Sequence, residues 1–355
     1  MNVHPNRFLI DVGHPAHVHL FRNAIQRWQE RGHTVVITAR DKEITTQLLD
    51  HYHLPYTVIS KARKGTGGLA LEYLEHFLGV LRVARRSRSQ ILLGTSVSIG
   101  PVARLMGTRA VVFNEDDAKV ARVFSLLAYP PANLIVTPSC LRENHGDRHV
   151  KYPGYHELAY LHPNIFAPDR SYLVKLGVEE NEPYFIVRFV SLLAAHDTRE
   201  QGINLETKLK LIGYLSTKGR VFITSERPLV KELQPYLISI SPEHIHDVMS
   251  FATMFIGDSQ TMTAEAAVLG VPAIRCNTFV GRISYLEELE HRYQLTIGFR
   301  PKDEELMFTR IAELLAQPNL AGIWQERRRR MLSEKIDVTS WMVDMIERYA
   351  EAGRS

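Results

Sequence analysis

Short apolar runs alternate with longer stretches of helical spacing along most of the chain. RFLIDVG (7 to 13) predicts a buried strand, residues 18 to 31 a helix stopped at Gly32, and HTVVITA (33 to 39) the next strand. This is a β-α-β unit. Further strands are predicted at YTVIS (56 to 60), QILLGT (90 to 95), RAVVFN (109 to 114) and NLIVTP (133 to 138), with helical stretches between them. Such alternation implies a parallel sheet covered by helices on both faces, because each parallel crossover needs a return segment.

The pattern thins over YPGYHELAYLHPNIFAPDRS (152 to 171), where prolines and aromatics without a clear period predict a linker. It restarts at YFIVRFV (184 to 190), GRVFITSE (219 to 226), ATMFIGDS (252 to 259) and PAIRCN (272 to 277), giving a second β/α domain over 172–335 after a first over 1–163. The last helix, VTSWMVDMIERYAEAG (338 to 353), sets Trp341, Met342, Met345, Ile346 and Tyr349 on one packing face.

Composition agrees with two domains: 355 residues, 45% of them hydrophobic and 23% charged, exceed what one core usually covers. The net charge of +4, from 43 basic and 39 acidic side chains, is too even to suggest a nucleic-acid binder. It leaves room for a local anion pocket. Cys140 and Cys276 have no CxxC spacing, so neither a disulfide framework nor a zinc site is expected, and a reducing cytoplasm fits. No secretory signal precedes the first strand, and every apolar run is broken before the roughly 20 residues of a membrane span. Membrane contact is thus expected only at the periphery, with the ERRRR run (326 to 330) either touching anionic lipid or forming a solvated helix face.

The richest passage is FIGDSQTMTAEAAVLGVPAIR (255 to 275): a strand ending at Gly257, a polar turn, a helix carrying Glu265, then Gly270 and Pro272 before another strand. Free amides at the helix start favour a phosphate at Ser259, Gln260 and Thr261, and Glu265 one turn further on could bind a ribose. Alternatively, Ser259 or Thr261 is an ordinary N-cap and Glu265 a surface carboxylate. Near the other end, DVGHPAHVHLF (11 to 21) places His14, His17 and His19 after the first strand, where α/β sheets seat ligands. A zinc site is disfavoured, because the three histidines lack the spacing of a helical metal pair.

The 255 to 275 passage resembles the nucleotide-sugar signature of GT-B proteins, especially the lipid-II-forming N-acetylglucosaminyltransferase and the UDP-N-acetylglucosamine 2-epimerases. The whole chain resembles a family of archaeal and bacterial proteins of unknown function with a GT-B-like fold, through DVGHPAHVHLF, ITARDKE, PGYHELAYL and GDSQTMTAEAAVLGVPAI. The resemblance implies an α/β GT-B fold, two Rossmann-like domains facing a cleft, with the helix over 336–355 packing back on the first domain. It puts Glu265 on the ribose and Ser259, Gln260 and Thr261 on the diphosphate. It implies a metal-independent glycosyltransferase that moves a sugar from a nucleotide sugar, UDP-linked by analogy, to a saccharide or lipid-linked acceptor, with no cofactor. Ala16-His17-Val18 matches the transferase's GGHV turn, without its paired glycines. His17 is then the expected base, since imidazole titrates near neutrality, with His14 as a supporting ligand and His19 as a packing or capping residue.

LLGTSVSIGPVARLMGTRAVVFNEDD (92 to 117) resembles the acceptor-side loop, putting Thr95 and Ser96 on substrate and Glu115 and Asp117 in catalytic roles, although Glu115, Asp116 and Asp117 also suit a helix N-terminus. In the second domain Arg188, followed by His196 and Asp197, is expected to neutralise the departing diphosphate or to pair with a carboxylate. His246 in PEHIHDVMSFA falls where GT-B proteins cradle the base, and Arg282 in NTFVGRISYLEELE on a loop over the donor sugar. SKARKGTGGLALEYLEHF (60 to 77) is either a mobile loop at the cleft mouth or a solvated connection. Retaining GT-B enzymes carry a glutamate eight residues before the ribose glutamate; here that position is Gly257, which favours inversion. A 2-epimerase is the alternative, weakened because Thr95-Ser96 replaces its aspartate motif and residues 122 to 127 hold no glutamate. A non-catalytic nucleotide-sugar binder is a third possibility.

Overall fold

The computed structural model describes residues 5–63, 65–190, 202–225 and 228–353. The chain divides into two compact units, Met1–Ile165 with Ile336–Ser355, and Phe166–Lys335.

The first unit is built on seven strands: β1 (Arg7–Val12), β2 (Thr34–Asp41), β3 (Tyr56–Lys61), β4 (Ile91–Gly94), β5 (Arg109–Phe113), β6 (Leu134–Pro138) and β7 (His149–Tyr152). Their order is β3-β2-β1-β4-β5-β6-β7, and every pairing is parallel. The chain winds outward from β1 to β3, then returns to lay β4 on the other side of β1. The switch point between β1 and β4 is where the crossovers on the two sides diverge and leave a crevice at the strands' C-terminal ends. The strands are apolar on both faces: in β1, Phe8, Leu9, Ile10 and Val12 are all buried, as a sheet covered by helices on both sides requires.

The first helix begins three residues earlier than expected. It spans Pro15–Glu30, with Pro15 in the first turn, where its missing N–H costs nothing, and the chain leaves it through Gly32 at φ +83°. His17 and His19 are therefore helical residues. Residues 152 to 162 are core and no linker: Tyr152, Tyr155, Leu158, Tyr160 and Leu161 are buried, and Asn23 Nδ2 ties the segment to the first helix by donating to the Ala159 carbonyl at 2.9 Å. Likewise, 66 to 77 is helix Thr66–Ser87, and Ser60 and Lys61 belong to β3. The last helix, Val338–Ala352, packs on the first through Arg31, which binds Asp344 (3.0 Å) and Glu347 (2.7 Å).

The second unit has a five-stranded parallel sheet in the order β12-β11-β10-β8-β9, from β8 (Tyr184–Phe189), β9 (Arg220–Ser225), β10 (Met254–Gly257), β11 (Ala273–Cys276) and β12 (Thr296–Phe299). Between β10 and β11, helix Gln260–Leu269 is buried from Thr263 onward and ends at Gly270 in the left-handed conformation, φ +75°. Among the described residues no helix is long and apolar enough to cross a membrane.

Candidate functional site

In the second unit the polar turn after β10 is held from below. Gly257 lies beside Arg188 in the β10–β8 register, and a Cβ on it would stand 2.5 Å from the Arg188 carbonyl oxygen. No glutamate fits there, so the missing retaining-type carboxylate reflects close strand packing. The Asp258 amide donates to that same carbonyl (3.2 Å), while Asp258 Oδ1 accepts from the Val190 amide (2.7 Å); burial pushes the carboxyl up to about 6. Ser259 caps the helix, its Oγ accepting from the Met262 amide at 3.3 Å. Gln260 and Thr261, half-buried, form the first turn, whose leading amides have no intrahelical acceptor.

Glu265 is not a surface carboxylate. It is 5% exposed, and its Oε1 lies 3.0 Å from Nε2 of the equally buried His246. Two residues expected on base and ribose are thus in contact, one from helix Ile245–Met249 and one from helix Gln260–Leu269. Arg188 is half-buried at the end of β8. His196 and Asp197 lie outside the described residues. The loop after β11 is pinned: Asn277 Nδ2 donates to the Asp258 carbonyl (3.0 Å), and Glu287 Oε1 accepts from the Gly281 amide (2.9 Å) and from fully buried Arg275 (2.5 Å). Arg282 is exposed on this loop, its guanidinium 5.2 Å from the centre of the Phe279 ring. In the ERRRR run Arg327 donates to the Gln294 carbonyl (2.8 Å) and Arg328 to that of Val268 (2.7 Å), while Arg329 and Arg330 are exposed and lie beside Glu326 and Glu334 of their own helix.

In the first unit the expected residues gather at the C-terminal edge of the sheet. His14 is the N-cap of the first helix, its Nδ1 accepting from the Ala16 amide at 3.2 Å, and His19 packs inside against Tyr160 with ring centres 5.1 Å apart. His17 Nδ1 accepts from the Gly13 amide (3.3 Å), and burial, with His14 nearby, lowers its pKa to about 3. A neutral imidazole whose Nδ1 is an acceptor carries its proton on Nε2. His17 therefore offers a hydrogen-bond donor, and the expected role of base does not fit its tautomer.

Two features went unnoticed in the sequence. His156, 8% exposed, has Nδ1 3.3 Å from Glu115 Oε2, while its Nε2 is buried with no hydrogen-bond partner among the described residues. Burial, aided by His17, lowers its pKa to about 3 as well. The Glu115 carboxylate beside Nδ1 favours the tautomer with the proton on that side, which leaves Nε2 as the acceptor. His156 sits in the quoted stretch PGYHELAYL, which carried no functional reading. The second feature is Asp11, a charged residue inside the apolar run of β1. Its Oδ1 accepts from Thr38 Oγ1 (2.8 Å) and its Oδ2 lies 2.8 Å from His76 Nε2, whose Nδ1 is 2.7 Å from Ser60 Oγ. Burial opposes both charges, yet His76 holds the Asp11 carboxyl below its ordinary value and Asp11 raises His76, the signature of an ion pair. Ser96 helps to lower the Asp11 carboxyl, and its Oγ accepts from the Ser98 amide (3.1 Å), whereas the Thr95 hydroxyl is buried without a partner among the described residues. Gly94, at φ +154°, leaves no room for a Cβ, which would stand 2.7 Å from the Asp11 carbonyl oxygen.

Glu115, Asp116 and Asp117 do not cap a helix, since the next one, Arg122–Ala128, starts after Ala121. Asn114 Nδ2 closes their turn by donating to the Asp116 carbonyl at 2.7 Å. Burial, then Asp117, raises Asp116 to about 6, a perturbed acid the sequence reading had passed over for its neighbours. Asp117 is half-buried, and its carbonyl accepts from the Val120 amide (2.8 Å).

These two units have the architecture of GT-B proteins. The chain superposes on the S. aureus MnaA–UDP structure with a TM-score of 0.69 at 12% identity (98% of this chain, 97% of that one). It superposes on a UDP-N-acetylglucosamine 2-epimerase with 0.66 at 13% identity (94% and 91%), and on the spinosyn rhamnosyltransferase SpnG complexed with thymidine diphosphate with 0.62 at 14% (96% and 99%). At such identities the likeness establishes the fold. Residues 7–351 match the model of DUF354, a protein family of unknown function, and the chain belongs to that family. It is also 24% identical over 279 residues to the uncharacterized protein MJ0665 of Methanocaldococcus jannaschii, covering 75% of this chain and 80% of the relative.

Proposed function

We propose that the protein is an inverting glycosyltransferase that binds a nucleotide sugar on its second unit and a hydroxyl acceptor on its first, without a metal or cofactor. The observation that carries this reading is the buried Glu265–His246 pair directly behind the polar turn at Ser259, Gln260 and Thr261. A buried carboxylate is costly unless it is paired, and this one lies one turn behind helix amides that suit a diphosphate. Arg188 and Arg282 supply positive charge for the departing diphosphate.

In the first unit His156 Nε2 takes the proton of the acceptor hydroxyl, with Glu115 fixing the tautomer and His17 Nε2–H, together with His14, Thr95 and Ser96, positioning the acceptor. Asp117, expected in a catalytic role, is assigned to orienting the acceptor. The hydroxyl oxygen forms the new bond to the anomeric carbon, the carbon–phosphate oxygen bond breaks, and the nucleoside diphosphate leaves with the electron pair. Gly257 supports inversion, because a carboxylate nucleophile has no place there. The likeness to a 2-epimerase keeps a second reading in view, in which the same donor site releases and recaptures UDP without an acceptor.

The test is nucleoside diphosphate release from nucleotide sugars, with and without saccharide acceptors. His156→Gln should lower kcat about 100-fold or more with little change in nucleotide affinity, and His17→Gln should act mainly on acceptor KM. The opposite pattern returns the base to His17. Epimerised donor without acceptor supports the second reading.

A further inference from the structure

We infer that the first unit docks on an anionic lipid surface through the outer side of one helical layer. Helices Thr66–Ser87, Ile99–Met106 and Arg122–Ala128 cover one face of the seven-stranded sheet: Val80, Val102 and Ala128 share a buried cluster with Leu9, Leu92 and Ile135. Their opposite sides are exposed, and they are apolar. On the short helix Val123 and Leu126 are 69% and 71% exposed, on the middle one Leu105 is 58% exposed, and on the long one Leu71, Leu74 and Leu78 form an exposed stripe at helical spacing. A monomer surface rarely concentrates large aliphatic side chains in this way without something to cover them.

The charge on the same layer says what covers it. The stripe of the long helix continues as Arg82 and Arg85, with Arg86 beside it, and Arg104 and Arg122 are exposed on the other two helices. The two short helices contain no acidic residue, and the long helix's Glu72 and Glu75 are neutralised by Arg40 and Arg63, each at 2.6 Å. Next to Leu126 opens a pocket of about 470 Å³ walled by Lys119, Arg122, His145 and Arg148. Aliphatic side chains flanked by arginines and a basic pocket are the pattern that inserts at a bilayer interface and binds anionic headgroups. An acidic protein partner would not need the aliphatic stripe, and a purely apolar one would not need the arginines. The surface lies far in sequence from the ERRRR run and does not depend on the chemistry proposed above.

The experiment is co-sedimentation of the full chain with phosphatidylcholine vesicles, with and without phosphatidylglycerol. Binding should require the anionic lipid and weaken with salt. Arg122→Gln should reduce partitioning about fivefold, the value of one interfacial basic residue. Val123→Asp with Leu126→Asp, both on exposed positions, should abolish it, while Leu306→Asp, equally exposed in the second unit, should not. Binding indifferent to phosphatidylglycerol, or retained by the double variant, overturns the inference. So does a stable dimer that the double variant dissolves without any loss of vesicle binding, which would assign the layer to a second copy of the chain.

Discussion

Acid should destabilise the first unit through His156, and the size of the effect follows from its burial. An ordinary imidazole takes up its proton near pH 6.5, whereas folded His156 does so only at about 3. Between those values the unfolded chain binds one proton more than the folded one, so stability rises with pH and is lost as pH falls below about 6.5. At about pH 5 the gap of about 1.5 units is worth about 2 kcal/mol, or about 30-fold in the unfolding equilibrium. Urea unfolding of wild type and His156→Gln, followed by a probe in the first unit at about pH 7.5 and about pH 5, isolates the term. Whatever the glutamine costs at neutral pH, the variant should lose about 2 kcal/mol less than wild type on acidification. Equal losses would mean that His156 titrates normally in the folded chain and that burial does not hold it neutral. The double variant with His17→Gln should remove a second term of similar size, since His17 is lowered to about 3 by the same burial.

Asp258 should show the opposite sign. Its folded pKa of about 6 exceeds the ordinary carboxylate value, so its burial disfavours the folded state increasingly as pH rises through about 6. Asp258→Asn, which can keep the acceptor for the Val190 amide, should therefore raise Tm at neutral pH and match wild type near pH 4. Gly257→Ala drives a Cβ against the Arg188 carbonyl; calorimetry should show a loss of about 1–3 kcal/mol, and a glutamate there should not be tolerated. Asp11→Asn leaves His76 without its counter-charge, so NMR titration of His76 should move its pKa down, with a stability loss of about 3 kcal/mol in denaturant unfolding.

Buried strands were legible because a sheet covered on both faces leaves continuous apolar runs, as in RFLIDV and LIVTP. HVKY and TIGF escaped for the same reason: β7 and β12 are four-residue edge strands that need no such run. Residues 152 to 162 read as a linker because prolines and aromatics break the period, although the tyrosines there fill the core. Single residues of the site could be named from their turns, but their pairings could not. Asp11 meets His76 across 65 positions and Glu265 meets His246 across 19, contacts made by crossovers whose geometry no local spacing encodes. His17 was found, and its tautomer was not, since that depends on the Gly13 amide.

The most direct measurement is calorimetric titration of the protein with UDP, GDP, CDP, ADP and dTDP, repeated on Glu265→Ala. One nucleotide should bind selectively, with affinity reduced at least about 10-fold in the variant, as expected when a buried ribose acceptor is removed. Binding to none of the five, or equal binding by wild type and Glu265→Ala, would contradict a nucleotide-sugar site at the turn after β10.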